Sequence, residues 1–249
     1  MTQVSDAAYP IGGEPFQVGR ALSRIFEVYA GGFVKFTLIS FVVLLPILLI
    51  KLAILSSMPP TSAPGAVALA GLLIFPLTVI VHGACMLGAF KLLRGEGFDV
   101  SQSLGAAARR FFPLLGVGLV AGLGTMLGAM LLVVPGLIIA VMWYVAGVAC
   151  LVEKAGVFDS LRRSSELTKG YRWPIFGVLL IIILLSMFGS VGFVLLAKSG
   201  ASLLLRSVVE FIWSVIVGGF GAVIVGVVYH DLRVAKEGVD IEKLTSVFE

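Results

Sequence analysis

From Pro113 to Val152 the chain reads PLLGVGLVAGLGTMLGAMLLVVPGLIIAVMWYVAGVACLV, without one charged side chain. A helix needs about 20 mostly apolar residues to cross a bilayer. This stretch therefore holds two crossings, and Pro135-Gly136 marks the turn between them. The second crossing is short, so a re-entrant pair is the alternative. A hairpin of two full spans is preferred, because no charge interrupts the run.

The same criterion applied outward yields six spans, near residues 33–56, 66–90, 113–134, 136–152, 173–197 and 207–229. Between the first two, Pro59, Pro60 and Pro64 forbid a continuous helix. Residues 1–14 read as a flexible polar tail, and residues 231–249 as a second tail. Met1 to Glu14 lacks the basic segment and short apolar core of a signal peptide, so the first span is expected to stay in the mature protein. The expected fold is an all-α polytopic membrane bundle, with residues 15–230 as its membrane domain.

Composition agrees. Of 249 residues, 59% are hydrophobic and 13% charged, and the mean hydropathy is +1.10. Soluble domains carry about 25% charged residues. So few charges cannot cover so much apolar surface in water. The net charge of +4 would suit a nucleic-acid binder, but the basic residues sit in separate clusters between apolar runs. Nucleic acid is excluded as a partner on that ground. Cys85 and Cys150 both lie inside apolar runs, where small buried thiols are expected and disulfides are not.

Charge also orients the chain. With six spans, Lys51, Lys198 and Arg206 fall on one side, and the other fifteen of the eighteen Lys and Arg residues fall on the opposite side. The positive-inside rule then places both termini in the cytoplasm.

A short pattern recurs. Val18-Gly-Arg-Ala-Leu22, Val100-Ser-Gln-Ser-Leu104 and Val157-Phe-Asp-Ser-Leu161 each precede a hairpin. Each is Val-x-x-(Ala or Ser)-Leu, followed by a basic stretch. Val18, Leu22, Ile25, Phe26 and Tyr29 share one helical face, with Arg20, Ser23, Arg24 and Glu27 away from it. Leu104, Ala107, Ala108, Phe111 and Phe112 stand beside Arg109 and Arg110, and Val157, Leu161 and Leu167 beside Arg162 and Arg163. The expected unit is an interfacial amphipathic helix plus a hairpin, used three times.

Small residues recur at helix-packing spacing: Gly118 and Gly122, Gly124 and Gly128, and Gly218, Ala222 and Gly226. Close helix approach within the bundle is the preferred reading over a dimer seam. Ser186 and Ser190 share that spacing.

Catalytic motifs are missing. The chain has no phosphate-binding loop, dinucleotide fingerprint or nucleophile elbow, and only two histidines, His82 and His230. No cofactor, no metal site and no enzymatic activity are expected. His82 is the intramembrane polar candidate, against the plainer reading of a neutral imidazole bonded to a neighbouring helix. Lys51 and Glu210 read as side chains near the outer span ends that snorkel to the interface, with a pair between Glu210 and Arg206, one turn earlier, as the alternative. Pro46 and Pro76 offer kinks, a feature of transporter binding sites and of ordinary spans alike.

Two stretches carry a family resemblance. One runs from Pro135-Gly136 through Glu153-Lys-Ala-Gly-Val-Phe-Asp-Ser-Leu-Arg-Arg-Ser-Ser-Glu-Leu-Thr-Lys-Gly170. The other is Tyr229-His-Asp-Leu-Arg-Val-Ala-Lys-Glu-Gly238. Together they resemble the membrane domain associated with glycerophosphoryl diester phosphodiesterases, which also occurs as a stand-alone bacterial membrane protein. The resemblance implies a helical bundle in the bacterial inner membrane. It implies no phosphodiesterase activity, because that chemistry belongs to a separate soluble barrel for which this chain has no room.

Three functional expectations follow. The first is a non-enzymatic protein of envelope or lipid homeostasis, or the membrane subunit of an assembly. Arg109, Arg110, Arg162, Arg163 and Arg172 would contact lipid headgroups. Membrane lipids are its expected partners, with a partner protein or a second copy of the chain beside them. The second is a small transporter or export permease built on Pro46, Pro76, His82 and the glycine-rich third span. The third is a phospholipid-acting enzyme using the polar stretch from Glu153 to Arg172.

Overall fold

The computed structural model describes residues 16–57 and 63–237. The expected N-terminal tail, Met58 to Ser62 of the first loop, and residues 238–249 lie outside them. The described residues form nine helices and no strand: α1 (Val18–Ser57), α2 (Ala63–Leu93), α3 (Val100–Arg109), α4 (Phe111–Leu131), α5 (Val133–Met142), α6 (Ala146–Val152), α7 (Val157–Thr168), α8 (Arg172–Lys198) and α9 (Leu203–Glu237). Six stretches are long and apolar enough to cross a membrane, with α5 and α6 together making the fourth. The chain is a multi-pass helical membrane protein.

The repeated pentapeptide marks helix starts. Its valine is the first residue of α1, α3 and α7 in turn. Its fourth position, Ala21, Ser103 or Ser160, is fully buried in every copy. Only a small side chain fits where the short helix lies against its neighbours, which is why the pattern alternates between Ala and Ser. The Asp99 carboxylate caps α3, accepting the Gln102 amide at 2.8 Å. The first amphipathic segment differs from the other two. It is continuous with the first span, so α1 is one helix of 40 residues, about 60 Å long.

The hairpin turn falls earlier than Pro135-Gly136. Leu132 is the extended residue between α4 and α5 (φ −163°, ψ 147°), and Pro135 lies in the first turn of α5. A proline there lacks an N–H that would have no helical partner anyway. The α4–α5 contact is close because Gly128 and Gly136 meet backbone to backbone. Gly124 leaves room for the Trp143 ring. Gly118 and Gly122 have open space in front of them. In α9, Gly226 packs against Met86 and Ala89 of α2.

α1, α2 and α9 pack extensively on one another, as do α4 and α5, and α2 also carries α3. α6 and α7 close the bundle beside them, while α8 touches its neighbours sparsely. The core fills with Ile25, Phe36, Ile39, Val145, Val148, Ile175, Ile224 and Tyr229. α9 runs eight residues past the expected end of the sixth span, to Glu237.

Candidate functional site

Two regions hold polar chemistry, one at each end of the bundle. At the basic end, the two stretches that carry the resemblance come together. Arg163 of α7 donates from Nε to Glu153 Oε1 at 2.8 Å and from Nη2 to Glu237 at the end of α9. The Tyr229 hydroxyl donates to the same Glu153 oxygen at 2.8 Å, and Arg233 Nε donates to Glu237 Oε2 at 2.7 Å. Burial works to lower the Arg163 pKa, but the hydrogen bonds to Glu153 and Glu237 outweigh it and push the value above its ordinary range. Arg24 of α1 joins the end of α9 through Asp231.

Arg110 is also engaged. Its guanidinium donates to the Lys154 carbonyl at 2.6 Å and the Ala155 carbonyl at 3.0 Å, holding the turn before α7. Lys35 donates to the Phe98 carbonyl at 2.7 Å and lies 5.6 Å from the centre of the Phe98 ring.

The five arginines of the lipid expectation thus divide. Arg110 and Arg163 bond to groups within the chain. Arg109 and Arg172 are exposed, and Arg162 is exposed beside Asp159, 3.3 Å away. Each exposed arginine has a large exposed aromatic nearby in sequence: Phe112 (80% exposed) near Arg109, Phe158 (76%) one turn before Arg162, and Trp173 (83%) next to Arg172.

At the other end, a cavity of about 270 Å³ opens between α1, α2 and α9. Lys51 and Glu210 stand in its wall, their Nζ and Oε2 2.5 Å apart. Glu210 pairs across helices with Lys51, where snorkelling of both side chains is the sequence expectation and Arg206 the alternative partner. His82 also lines the cavity, with Nδ1 2.8 Å from the Thr78 carbonyl. Cys85, one turn on, is buried in the core and does not line it. Among the described residues no three His, Cys, Asp or Glu side chains are grouped to hold a metal ion.

Sequence reasoning counted Lys51 and Glu210 as separate end charges. The signal that joins them is topological: the first and last spans run antiparallel, so opposite charges at their far ends align. The hydroxyls of Ser40, Thr78 and Ser214 in the cavity wall had no periodic signal at all.

Residues 61–232 match the family described as Domain of unknown function (DUF7847). The chain belongs to this family. The matched region begins just before α2 and ends within the last turns of α9, so it takes in the cavity's α2 and α9 walls, the Glu153–Arg163–Tyr229 contacts and the exposed arginines. The DUF7847 match leaves out α1, which supplies Lys51 and Ser40. No curated protein and no solved structure matches the chain.

Proposed function

We propose that this DUF7847 chain is a non-enzymatic membrane protein of lipid or envelope homeostasis whose basic end binds anionic phospholipid headgroups. The observation that carries this reading is the pairing of Arg109, Arg162 and Arg172 with exposed Phe112, Phe158 and Trp173. Trp favours the headgroup level of a bilayer, Phe on an interfacial helix inserts at the headgroup–acyl boundary, and arginines beside them meet phosphate there. Guanidinium groups bind phosphate through paired hydrogen bonds. The fifteen-to-three distribution of basic residues supports an orientation with this end, and both termini, on the cytoplasmic side of a bacterial inner membrane. The resemblance to the phosphodiesterase-associated membrane domain supports a stand-alone relative of that domain. Its two stretches supply the clamp that holds α7, and so Arg162, in place.

The test is native mass spectrometry of the full chain released into mild detergent from its own membrane. Phosphatidylglycerol or cardiolipin retained at fixed stoichiometry, and lost from an Arg109→Gln, Arg162→Gln, Arg172→Gln variant, is the expected result. Equal retention by that variant would overturn the reading. The same spectra report a second copy or a partner subunit.

A small transporter is the second reading, and the cavity favours it. Of the residues on which that reading was built, His82 lines the cavity, and Pro46, Pro76 and the third span do not.

A further inference from the structure

We propose that the cavity between α1, α2 and α9 is a binding site for an ethanolamine-type zwitterion, a primary ammonium linked to a phosphate. Several polar atoms of the wall are already engaged within the protein. The Thr78 hydroxyl donates its proton to the Phe75 carbonyl at 2.7 Å, and the Ser214 hydroxyl donates to the Glu210 carbonyl at 2.8 Å. Both oxygens keep lone pairs free to accept. The Thr78 carbonyl can only accept, so His82 Nδ1 carries the hydrogen of that contact. In the Nδ1–H tautomer Nε2 is the acceptor nitrogen of the ring. Lys51 takes Oε2 of Glu210, and a carboxylate accepts further hydrogen bonds at its second oxygen. The wall is therefore rich in acceptors.

Its donors lie elsewhere. Lys51 stands at the mouth. Ser40 stands eleven residues away along α1, about 16 Å deeper at the helical rise, close to half the thickness of a bilayer's hydrocarbon core. Ser40 is fully buried, and its Oγ has no hydrogen-bond partner within the protein. The Cys85 thiol lies near it, a weak partner for a hydroxyl.

One ligand chemistry answers the acceptors of the wall and the Lys51 ammonium at its mouth. A primary ammonium brings three N–H donors to a wall whose acceptors are Glu210, His82 and the hydroxyl oxygens of Thr78 and Ser214, enough for three of the four at once. A phosphate a few bonds away meets the Lys51 ammonium at the mouth. A choline head lacks N–H donors and cannot make the same contacts. The phosphate-linked ammonium can come from a membrane phospholipid or from a soluble phosphoethanolamine. The site is separate from the basic end, so it does not depend on the exposed arginines.

The experiment uses the full chain in nanodiscs containing equal phosphatidylethanolamine and phosphatidylcholine, released and read by native mass spectrometry. Retention of phosphatidylethanolamine over phosphatidylcholine by about tenfold, the scale of one charge-assisted hydrogen bond, is expected. Glu210→Gln and His82→Leu should each abolish that preference, while retention of phosphatidylglycerol stays as in the unaltered chain. Because Glu210→Gln also breaks the pair with Lys51, Ser214→Ala and Thr78→Val serve as variants that leave the pair intact, and each should weaken the preference. In a second arm, phosphoethanolamine is added to the chain in detergent. Displacement of bound lipid by it assigns the site to the soluble zwitterion, and failure to displace assigns it to the lipid. Equal retention of the two phospholipids with no phosphoethanolamine binding, or a preference untouched by all four variants, would overturn the proposal.

Discussion

Arg163 and Tyr229 meet on a single oxygen, Glu153 Oε1, each at 2.8 Å. That oxygen belongs to the residue that ends α6, so the fourth span, the interfacial helix α7 and the last span α9 are tied at one point. Arg163 extends the tie to Glu237. Two carboxylates approach it from different helices, and only a planar guanidinium with several donors can serve both.

Arg163→Gln should therefore lower stability by about 2 kcal/mol, the scale of hydrogen bonds to charged groups. The side chain is about a quarter exposed, which keeps the loss below the 3–5 kcal/mol range roughly expected when a fully buried pair is broken. Arg163→Lys should recover only part of it. Thermal unfolding in detergent reads both. A lysine variant as stable as the parent would mean that charge alone, not the fork, holds the three helices.

The glycine pairs make opposite predictions. An added methyl at Gly136 would stand 2.7 Å from the backbone nitrogen of Ala129, which cannot move without separating α4 from α5. Gly136→Ala should cost about 1–3 kcal/mol through overpacking. Gly118 has nothing within 4 Å of the same methyl, so Gly118→Ala should be neutral or slightly stabilising from helix propensity. Equal destabilisation by both would place Gly118 in a contact with another molecule and revive the dimer seam.

Much of this architecture was legible in the sequence, for a definite reason. A bilayer forces about 20 apolar residues into each crossing, so spans announce themselves by length alone. The pentapeptide repeat located three helix starts because the fourth position must be small wherever a helix lies flat on its neighbours. The hairpin turn was misplaced by three residues, since Pro135 reads as a breaker in sequence yet is welcome in the first turn of a helix. The continuity of α1 was hidden because an amphipathic segment and an apolar span have different periodic patterns but the same backbone. Lys51 with Glu210, and Glu153 with Arg163 and Tyr229, were out of reach because pairing across helices depends on rotation about each axis, which local spacing does not fix.

The Asp99 cap carries a pH prediction. Its carboxyl is held below the ordinary aspartate value, first by the Gln102 amide and then by the Ser101 hydroxyl. A depressed folded-state pKa contributes stability above the unfolded value, near 3.9, that is lost as pH falls through the folded value. The first turn of α3 should stay ordered from neutral pH down to about 4 and loosen below it. The amide shift of Gln102 followed by NMR in detergent reads this. Asp99→Asn keeps an acceptor but cannot titrate, so the same pH response in that variant would assign the effect to another group.

The break in the fourth span makes the last prediction. Between α5 and α6 the helix is interrupted at Trp143 to Val145, which frees backbone groups inside the bundle. Ser164 of α7 repairs both sides: its hydroxyl donates to the Met142 carbonyl at 2.9 Å and accepts the Val145 amide at 3.3 Å. Thr168, one turn on, also donates to the Met142 carbonyl, at 3.3 Å. Ser164 is fully buried, so water cannot take its place. Ser164→Ala removes the acceptor for a buried N–H and should cost about 1–3 kcal/mol. Thr168→Val should cost less, because Ser164 still serves the carbonyl. If the two losses are reversed in unfolding experiments, the carbonyl and not the amide is the group that α7 must satisfy. If both are near zero, the break closes into continuous helix when α7 lets go, and the interruption belongs to α7 rather than to the span itself.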